Sequence, residues 1–431
     1  MTAVPATTHG LWGASAPAAP AQPALDQHIE VDVVIVGGGF TGLSAALHLQ
    51  QKGARTAVLE AQEVGFGGSG RNVGLVNAGM WVMPSALPGE LGDVHGQRLL
   101  TQLGAGPDLV YELIERYGIA CEAVRNGTLH CAVGAAGLAN IAQRAREWQA
   151  HGAPVHLLDA AETARRTGTE AYAGSLLDLR AGTVQPLAYA RGLAHAAVQE
   201  GAQLYGHSRV TAATDHGTHW TLQTASGGSV KAPWVVVATN AFTDLNGLWG
   251  AVRSELVHLP YFNMATPPLP TAVLDKILPG LEGVWDTPDI LTSFRRDQAG
   301  RLVFGSVGAL RGAGAGIHHD WGRRAMAKLY PVLKDVNFEY EWYGWIGMTD
   351  NSLPRFHQLA RNTVGFSGYN GRGIAPGSVF GRELARLISG EITQADLALP
   401  VTDVAPVSLR GAKEAWYEVG ASVAHFAGAR F

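Results

Sequence analysis

Three glycines and an acid near the start of the chain have the spacing of a dinucleotide-binding site. Gly37, Gly39 and Gly42 form a G-x-G-x-x-G pattern, and Glu60 lies near the distance of about 20 residues at which such sites place an acid. The first glycine permits a tight turn, the second lets a pyrophosphate approach bare backbone, and the third lets a helix pack close to a strand. The acid can accept hydrogen bonds from a ribose. These residues predict a dinucleotide site; the alternative is a glycine-rich turn in another α/β protein.

The residues around these glycines have the patterns of a strand, a helix and a second strand. The β-branched run 33–36 is typical of a strand buried on both faces, and the spacing is helical from Leu43 until Gly53. A second apolar run, residues 56–59, ends at Glu60. The sequence therefore predicts a strand-turn-helix-strand unit that places a bound anion at the positive end of the helix dipole.

A second glycine-rich stretch, residues 65–80, follows this unit directly. It carries Ser69, Arg71 and Asn72, whose side chains could form hydrogen bonds with phosphate or with a heteroaromatic edge. Because glycines leave few side chains to pack, the backbone is free to lie against a flat or charged group. We expect this stretch to contact the dinucleotide; the alternative is a flexible surface loop.

Residues 363–390 have the pattern of a strand, a glycine loop and a helix. Pro376 stands near the predicted helix start and Gly390 at its end. No second G-x-G-x-x-G pattern opens a βαβ unit here, so a second dinucleotide domain is not expected. We expect this helix to direct its positive end at the other end of the same cofactor.

The middle of the chain contains further strand patterns. A buried strand at 234–238 ends at the small residues 239–241, and ligands of open α/β sheets bind at such carboxyl ends. Segments 257–269 and 292–306 are predicted strands of a mostly antiparallel sheet. Prolines such as Pro260 favour an edge position, or the strand ends, for the first of these segments.

Composition limits the class of protein. A chain of 431 residues predicts two lobes, and 47% hydrophobic with 16% charged residues is typical of a globular enzyme. The formal net charge of -4, without a Lys/Arg-rich run, argues against a nucleic-acid partner. No apolar segment approaches the roughly 20 residues of a membrane helix. The only cysteines, Cys121 and Cys131, cannot build a disulfide framework or a four-cysteine metal site, so we expect small core side chains, no metal and a cytoplasmic location.

Residues 1–30 form an arm rich in alanine and proline. The arm has no basic start and no apolar run long enough for an export signal. Trp12 could dock this arm on the body of the protein, or the arm could be an untethered tail. The sequence leaves both possibilities open.

The motifs, in their order along the chain, resemble those of one family of FAD enzymes. The shared motifs are GGGFTG, the SGRN-x-G loop at 69–74, VVVATNAF, RLVFGS at 301–306, and GW-x-G-x-T-x-x-x-x-P followed by GYNGRG. They resemble the D-amino-acid oxidase, glycine oxidase and sarcosine oxidase superfamily. The SGRN and GYNGRG motifs are most similar to those of the γ-glutamylputrescine oxidase and pipecolate oxidase branch.

The resemblance implies an α/β (α+β) fold of two lobes. A Rossmann-like FAD-binding lobe would be assembled from residues 31–95, 150–245 and 345–431. A substrate lobe with a mostly antiparallel β-sheet would be formed by residues 96–149 and 246–344.

The resemblance also implies which residues hold the FAD. Carried over by position, they are Gly37, Gly39, Phe40, Thr41, Gly42, Glu60, Ala61, Gly67, Ser69, Gly70, Arg71, Asn72, Val210, Thr239, Asn240, Ala241, Gly371, Arg372, Gly373 and Ile374. Sarcosine oxidases attach their flavin through a cysteine in the later half of the chain, whereas both cysteines here precede residue 132. We therefore expect the FAD to be non-covalent. Those enzymes also hold a substrate carboxylate with a lysine where this chain has Ala375, so that mode of binding is not expected.

The activity implied by the resemblance is oxidation of an amine, or of an N-substituted or cyclic amino acid, at a C–N bond. A hydride would pass to flavin N5, water would hydrolyse the resulting imine, and O2 would reoxidise the flavin and form H2O2. The alternative is an FAD-dependent dehydrogenase that passes electrons to a quinone or another acceptor. A flavin hydroxylase and a non-enzymatic flavin-binding factor are further alternatives.

Aromatic residues could line the substrate cavity and attract an amine by cation–π interactions. The candidates for this lining are Trp81, Tyr261, Phe262, Arg295, Trp345 and Tyr369. Each aromatic could instead be a simple packing residue, and the arginine could bind a distal acid or form a surface ion pair. The candidates for a role in catalysis are Arg372, Tyr261, Trp345 and Tyr369. Arg372 is expected at the pyrimidine edge of the flavin, where negative charge develops.

Overall fold

A computed structural model describes residues 9–428 of the chain. Its α-helices are α1 (Leu11–Ser15), α2 (Phe40–Gln50), α3 (Leu87–Gly104), α4 (Gly106–Tyr117), α5 (Gly134–Ala150), α6 (Ala160–Thr167), α7 (Pro186–Gln199), α8 (Gly250–Ser254), α9 (Thr271–Leu274), α10 (Gly312–Leu329), α11 (Ile374–Ile388) and α12 (Arg410–Ala427). Its strands are β1 (His28–Glu30), β2 (Val33–Val36), β3 (Thr56–Leu59), β4 (Leu75–Val76), β5 (Thr128–Ala132), β6 (Val155–Leu158), β7 (Gly174–Asp178), β8 (Gly182–Thr183), β9 (Gln203–Tyr205), β10 (Val210–Asp215), β11 (Trp220–Thr224), β12 (Ser229–Ala232), β13 (Trp234–Val237), β14 (Val257–Ala265), β15 (Gly283–Asp286), β16 (Thr292–Arg296), β17 (Leu302–Val307), β18 (Tyr340–Met348), β19 (Arg355–Ala360) and β20 (Thr363–Ser367).

A six-stranded sheet contains the predicted strand-turn-helix-strand unit. Its order is β19-β20-β13-β2-β3-β9, and all neighbours are parallel except the β19/β20 pair. All four residues of β2 and of β3 are buried, as expected for strands covered on both faces. Because the strands are parallel, the ends of β2, β3 and β13 meet at one edge of this sheet.

An eight-stranded sheet has the order β18-β14-β17-β16-β15-β5-β7-β6. Its pairs are antiparallel apart from β15 with β5. The parallel and antiparallel sheets together confirm the predicted α/β fold.

Two expectations about this sheet need correction or restriction. Strand β14 lies between β17 and β18, so Pro260 does not mark an edge strand; pairing with β17 starts at the next residue, Tyr261, which accommodates the missing N–H. The borders of the two lobes stay a prediction. Strands β6 and β7, predicted for the FAD-binding lobe, pair instead in the eight-stranded sheet because β7 lies alongside β5.

The arm before residue 31 is docked on the body over its described residues. Trp12 in α1 is fully buried, and β1 extends a four-stranded sheet of order β1-β12-β11-β10. Of the two possibilities that the sequence left open, the docked arm is therefore the one observed.

Helices α2 and α11 pack side by side, and their N-terminal ends are neighbours in space. The carbonyl of Ser378 in α11 accepts a 2.7 Å hydrogen bond from the Ser44 hydroxyl in α2. Gly377 and Gly381 allow this approach, because a Cβ atom on either would lie within 3.0 Å of α2 atoms. The second helix start predicted from the sequence thus lies beside the first, although more than 300 residues separate them along the chain.

Candidate active site

One cavity of about 1070 Å³ lies where the carboxyl edge of the six-stranded sheet faces the eight-stranded sheet. We call it the central cavity. The predicted site residues that line it are Gly37, Gly39, Phe40, Thr41, Glu60, Ala61, Gly67, Ser69, Arg71, Asn72, Trp81, Val210, Thr239, Asn240, Ala241, Tyr261, Trp345, Tyr369, Gly371, Arg372, Gly373 and Ile374. Four predicted residues are not part of the lining: Gly42, Gly70, Phe262 and Arg295.

The turn between β2 and α2 needs glycine for two separate reasons. Gly37 has a φ of +113°, which other residues rarely adopt, and a Cβ there would lie 2.8 Å from the Ala238 carbonyl oxygen. A Cβ on Gly42 would lie 2.0 Å from the Gly37 carbonyl oxygen. Gly42 is therefore outside the lining because it lets α2 pack closely on the turn, as predicted.

Glu60 follows β3 and faces the central cavity beside this turn. Its Oε2 accepts a hydrogen bond of 2.7 Å from the Gly38 amide, and its Oε1 accepts one of 2.9 Å from the Gln62 amide. Burial raises the pKa of Glu60. The carboxyl group is thus fixed in orientation at the edge of the sheet, where the sequence predicted a ribose ligand.

The glycine-rich stretch after β3 forms an ordered loop along the cavity wall. The Ser69 hydroxyl accepts a 3.1 Å hydrogen bond from the Phe40 amide at the start of α2. The Asn72 amide group donates to the carbonyls of Gly68 and Ser69, and its Oδ1 accepts from the Gly74 amide. Residues 65–74 are thus fixed by hydrogen bonds along the cavity wall, and their contact with the dinucleotide stays a prediction.

Arg71 is a buried cation without a counter-ion contact in this loop. The residue is 2% exposed, and none of its guanidinium nitrogens has a hydrogen-bond partner among residues 9–428. The guanidinium carbon lies 4.4 Å from the centre of the Phe66 ring and 5.9 Å from that of Phe242. Burial lowers the pKa of Arg71 to about 10. A buried cation with five unpaired N–H groups fits a ligand that presents carbonyl or phosphate oxygens, and FAD presents both.

The segment after β13 also lies at this edge of the sheet. Asn240 has a φ of +42°, and its Oδ1 accepts a 2.9 Å hydrogen bond from the Gly368 amide in the loop before α11. The Ala241 carbonyl accepts a 2.7 Å hydrogen bond from His258 Nε2. The strand end and the α11 loop are therefore fixed to each other around the cavity.

The opposite end of the central cavity is cationic. The Arg372 guanidinium lies between two indole rings, 4.7 Å from the centre of Trp81 and 4.8 Å from that of Trp285, and donates to the Ala78 carbonyl at 3.1 Å. Arg144 on α5 donates to the carbonyls of Met80 and Trp81. Arg372 is 8% exposed and Arg144 is 7% exposed. Thus the Arg372 side chain extends toward the eight-stranded sheet, while its expected contact with the flavin ring stays a prediction.

Several nitrogens at this end are unpaired within the described part of the chain. They are Arg144 Nε, Arg372 Nε, Arg372 Nη2 and His130 Nδ1. Burial, followed by the charge of Arg144, lowers the pKa of Arg372 to about 9. Burial is the largest cause of the lowered pKa of His130, followed by the charges of Arg144 and Arg372. The His130 ring is stacked on that of Trp285, with 3.4 Å between the ring centres. Two like charges in a site of low dielectric favour binding of an anion.

Tyr261 and Trp345 lie on the neighbouring strands β14 and β18 and face the cavity. The Tyr261 hydroxyl is 2.6 Å from the Ser293 hydroxyl, and the Trp345 ring is stacked on His258 at 5.1 Å. Tyr369 stands before α11, and its hydroxyl is 2.6 Å from that of Thr41. Burial raises the pKa of Tyr369. Tyr261, Trp345 and Tyr369 therefore all line the central cavity, as predicted.

Two predicted substrate contacts are wrong. Phe262 follows Tyr261 on β14 and faces the other side of the sheet, where its ring is stacked on His318 at 5.2 Å, because successive strand residues alternate sides. Arg295 is 1% exposed, donates to the Val184 carbonyl, and lies 3.5 Å from Glu122. It is neither a ligand for a distal acid nor part of a surface ion pair.

Three residues of the cationic end were not predicted from the sequence: His130, Arg144 and Trp285. Each is a single residue on a regular strand or helix, without a motif around it. The free cysteines Cys121 and Cys131 are buried, which confirms them as core side chains. Across residues 9–428, no helix is long and apolar enough to span a membrane.

A mostly parallel β-sheet with a glycine turn after β2 faces a mostly antiparallel sheet across the central cavity, which is the arrangement of an α/β protein that binds a ligand at the carboxyl edge of its parallel strands. Residues 32–387 match the model of the DAO family, described as FAD dependent oxidoreductase. The chain therefore belongs to this family, which confirms the resemblance found in its motifs.

Comparison with individual proteins agrees with this family. The chain is 33% identical over 381 residues to gamma-glutamylputrescine oxidoreductase of Escherichia coli (strain K12), covering 86% of this chain and 87% of the relative. It is 30% identical over 373 residues to a probable oxidoreductase, OrdL, of Haemophilus influenzae, covering 86% and 85%. Among solved structures, glycine oxidase from Geobacillus kaustophilus superposes with a TM-score of 0.70 at 22% identity, covering 85% of this chain and 96% of that one. Iminodiacetate oxidase from Chelativorans sp. BNC1 superposes with a TM-score of 0.66 at 18% identity, covering 87% and 98%.

Proposed function

We propose that this FAD-dependent oxidoreductase oxidises the C–N bond of an amine that also carries a carboxylate. The observation that carries the proposal is the set of unpaired nitrogens on Arg144, Arg372 and His130 at one end of the central cavity. Arginine presents N–H groups in a planar fork that matches a carboxylate. A buried donor without a partner costs roughly 1 to 3 kcal/mol, so an acidic ligand at this end would remove a penalty from the protein.

The residues that would hold FAD line the other part of the same cavity. Glu60 would accept hydrogen bonds from the ribose, and the starts of α2 and α11 would favour the phosphates and the electron-rich edge of the flavin. Arg71 would supply the N–H groups that remain unpaired in the described chain. The cysteines Cys121 and Cys131 do not line the cavity, which supports non-covalent binding.

The substrate would be held by residues of the eight-stranded sheet and its neighbours. Trp81, Tyr261 and Trp345 give the cavity an aromatic wall that would exclude water and pack against the apolar part of the substrate. Arg144 and Arg372 would fix the carboxylate and so orient the C–N bond. When bound, FAD supplies the chemistry of a two-electron acceptor that takes a hydride from the carbon beside nitrogen. Loss of water from the site keeps the amine unprotonated, so that no protein base is required.

The names of similar proteins support this substrate class. The name of one curated relative contains γ-glutamylputrescine, and the names of two solved structures contain glycine and iminodiacetate. All three compounds are amines that carry a carboxylate. We further propose O2 as the electron acceptor and the cytoplasm as the location. A dehydrogenase that uses a quinone remains the alternative, and the peroxide formed per turnover separates the two.

The test uses matched amines with and without an acid. Purified holoenzyme is mixed anaerobically with glycine or methylamine, and with 4-aminobutyrate or butylamine, while the flavin absorbance is followed. We expect the acid-bearing member of a pair to bleach the flavin at a concentration at least tenfold lower. Equal bleaching by both members would contradict the carboxylate, and absence of bleaching by a broad amine panel would contradict amine oxidation.

A further inference from the structure

Residues 9–22 at the start of the described chain form a segment that we call the N-terminal clasp. It contains α1, in which Leu11 is 1% exposed and Trp12 is 0% exposed. The family match begins only at residue 32, so the clasp lies outside the part of the chain that defines the family. A fully buried tryptophan in a segment so rich in alanine and proline needs a specific partner.

The partner of the clasp is the glycine-rich loop of residues 64–74, which we call the cofactor loop. Trp12 Nε1 donates a 2.8 Å hydrogen bond to the Asn72 carbonyl. His9 Nε2 donates to the Phe66 carbonyl at 3.3 Å, and Gln22 Oε1 accepts from the Val64 amide at 3.0 Å. The clasp therefore contacts Val64 and Phe66 near the beginning of the loop and Asn72 near its end.

Trp12 is itself held in place by residues from distant parts of the chain. Its ring contacts Trp342 edge to face at 5.4 Å, and Trp342 Nε1 donates at 3.0 Å to the carbonyl of Arg71. Gln185 donates to the Trp12 carbonyl at 3.1 Å, and the Arg295 guanidinium lies 5.4 Å from the Trp12 ring. Two indole N–H groups thus bind two consecutive carbonyls of the cofactor loop.

The other side of the cofactor loop faces the central cavity. Ser69, Arg71 and Asn72 line the cavity there. Because the loop contains Gly65, Gly67, Gly68, Gly70 and Gly74, it has few side chains that could fix its shape from within. The Asn72 side chain fixes residues 68–74 relative to one another, while Asn263 and Trp342 hold the Arg71 carbonyl from outside the loop. The clasp adds contacts to Val64, Phe66 and Asn72 from residues that do not line the cavity.

We propose that the N-terminal clasp holds the cofactor loop in its FAD-binding shape and thereby sets the affinity of the protein for FAD. This inference rests on the proposed placement of FAD in the central cavity. If only the shaped loop binds FAD, the apparent dissociation constant rises in proportion as the shaped fraction falls. Trp12 is thus a positioning residue that acts on Arg71 and Asn72 through the loop backbone.

The test compares FAD affinity with the stability of the protein without FAD. Trp12→Phe keeps an aromatic ring but loses the hydrogen bond to Asn72, and we expect the Kd for FAD, titrated by quenching of flavin fluorescence, to rise about fivefold. Adding His9→Ala should raise it by a further factor of similar size. The matched control is Trp220→Phe, which removes a 2.8 Å hydrogen bond to the Arg361 carbonyl in the four-stranded sheet. The control should keep the wild-type Kd for FAD.

The outcomes separate this inference from the proposed function. If Trp12→Phe leaves the Kd for FAD unchanged, whether or not it lowers the Tm of the apoprotein, or if Trp220→Phe raises the Kd equally, the inference is wrong. Because no substrate is used, the measurement is valid even if no amine reduces the flavin. Failure of amine oxidation would therefore overturn the proposed function, but it would not change the Kd for FAD by which the role of the clasp is judged.

Discussion

Thr41 and Tyr369 are 328 positions apart in the chain, yet their hydroxyl oxygens are only 2.6 Å apart. Thr41 belongs to the first turn of α2, and Tyr369 to the loop that leads into α11. The bond therefore joins the starts of two helices that both line the central cavity. Since a helix start carries partial positive charge, the pair presents two such charges to one ligand.

Removal of this bond should weaken FAD binding. Tyr369→Phe keeps the ring but loses the hydrogen bond, which is worth about 1 kcal/mol, so we expect a roughly fivefold rise in the Kd for FAD. Titration of the apoprotein with FAD measures the change. Tyr189→Phe is the control, because the Tyr189 hydroxyl also binds α11, at Ser378 Oγ, but lies outside the cavity lining. Equal Kd values for the two variants would argue against a role of the Thr41 bond in cofactor binding.

A bulky residue at Gly39 should produce a folded but colourless protein. A Cβ there would lie 2.9 Å from Ser69 Oγ, a side chain that can move, so the fold should survive Gly39→Leu. The longer side chain would occupy the space predicted for the pyrophosphate. Circular dichroism reports the fold and visible absorbance reports the FAD. Gly89→Leu, at an exposed site with open space around the glycine, should stay yellow. A Gly39→Leu protein with normal FAD content would disprove the pyrophosphate assignment.

Much of the cofactor part of the site could be predicted from sequence because it is encoded locally. The spacing of Gly37, Gly39 and Gly42 has one steric interpretation once a strand precedes it and a helix follows. The positions of Glu60 and Arg71 follow from the same stretch of chain. The roles of these residues stay predictions, but their arrangement around one cavity could be anticipated.

The substrate end could not be predicted in the same way because it is assembled from distant elements. Arg144 comes from α5 and His130 from β5, and neither has a neighbouring residue that signals a ligand. The error at Phe262 has another cause: two adjacent aromatics on a strand face opposite sides, and only the strand pairing decides which side is the cavity. The docking of Trp12 likewise depends on a pocket formed by residues far along the chain.

The cationic end gives a prediction about substrate selectivity. Arg144→Gln removes a charge and the unpaired Nε but retains one amide donor for the carbonyls of the 80–81 segment. We expect kcat/KM for an acid-bearing amine to fall about tenfold or more, with little change for the matched amine without an acid. Arg146→Gln, an exposed change one half-turn further along the same helix, should leave both values unchanged. A similar loss for both amines would show that Arg144 only supports the cavity wall.

The buried side chain of His48 should make the folded protein less stable in mild acid. Burial lowers the pKa of His48 to about 4, and its Nδ1 donates a 2.7 Å hydrogen bond to the Ser44 carbonyl in α2. In the unfolded chain the pKa of His48 is near 6.5. Between pH 6.5 and about 4, His48 is therefore protonated in the unfolded chain but neutral in the folded protein. The contribution to stability is therefore complete above pH 6.5 and declines by up to about 1.4 kcal/mol per pH unit below it. Urea unfolding at pH 7 and pH 5 should show a smaller difference in His48→Gln than in the wild type. His156→Gln, at an exposed position on β6, should keep the wild-type difference, and the same result for His48→Gln would contradict the assignment.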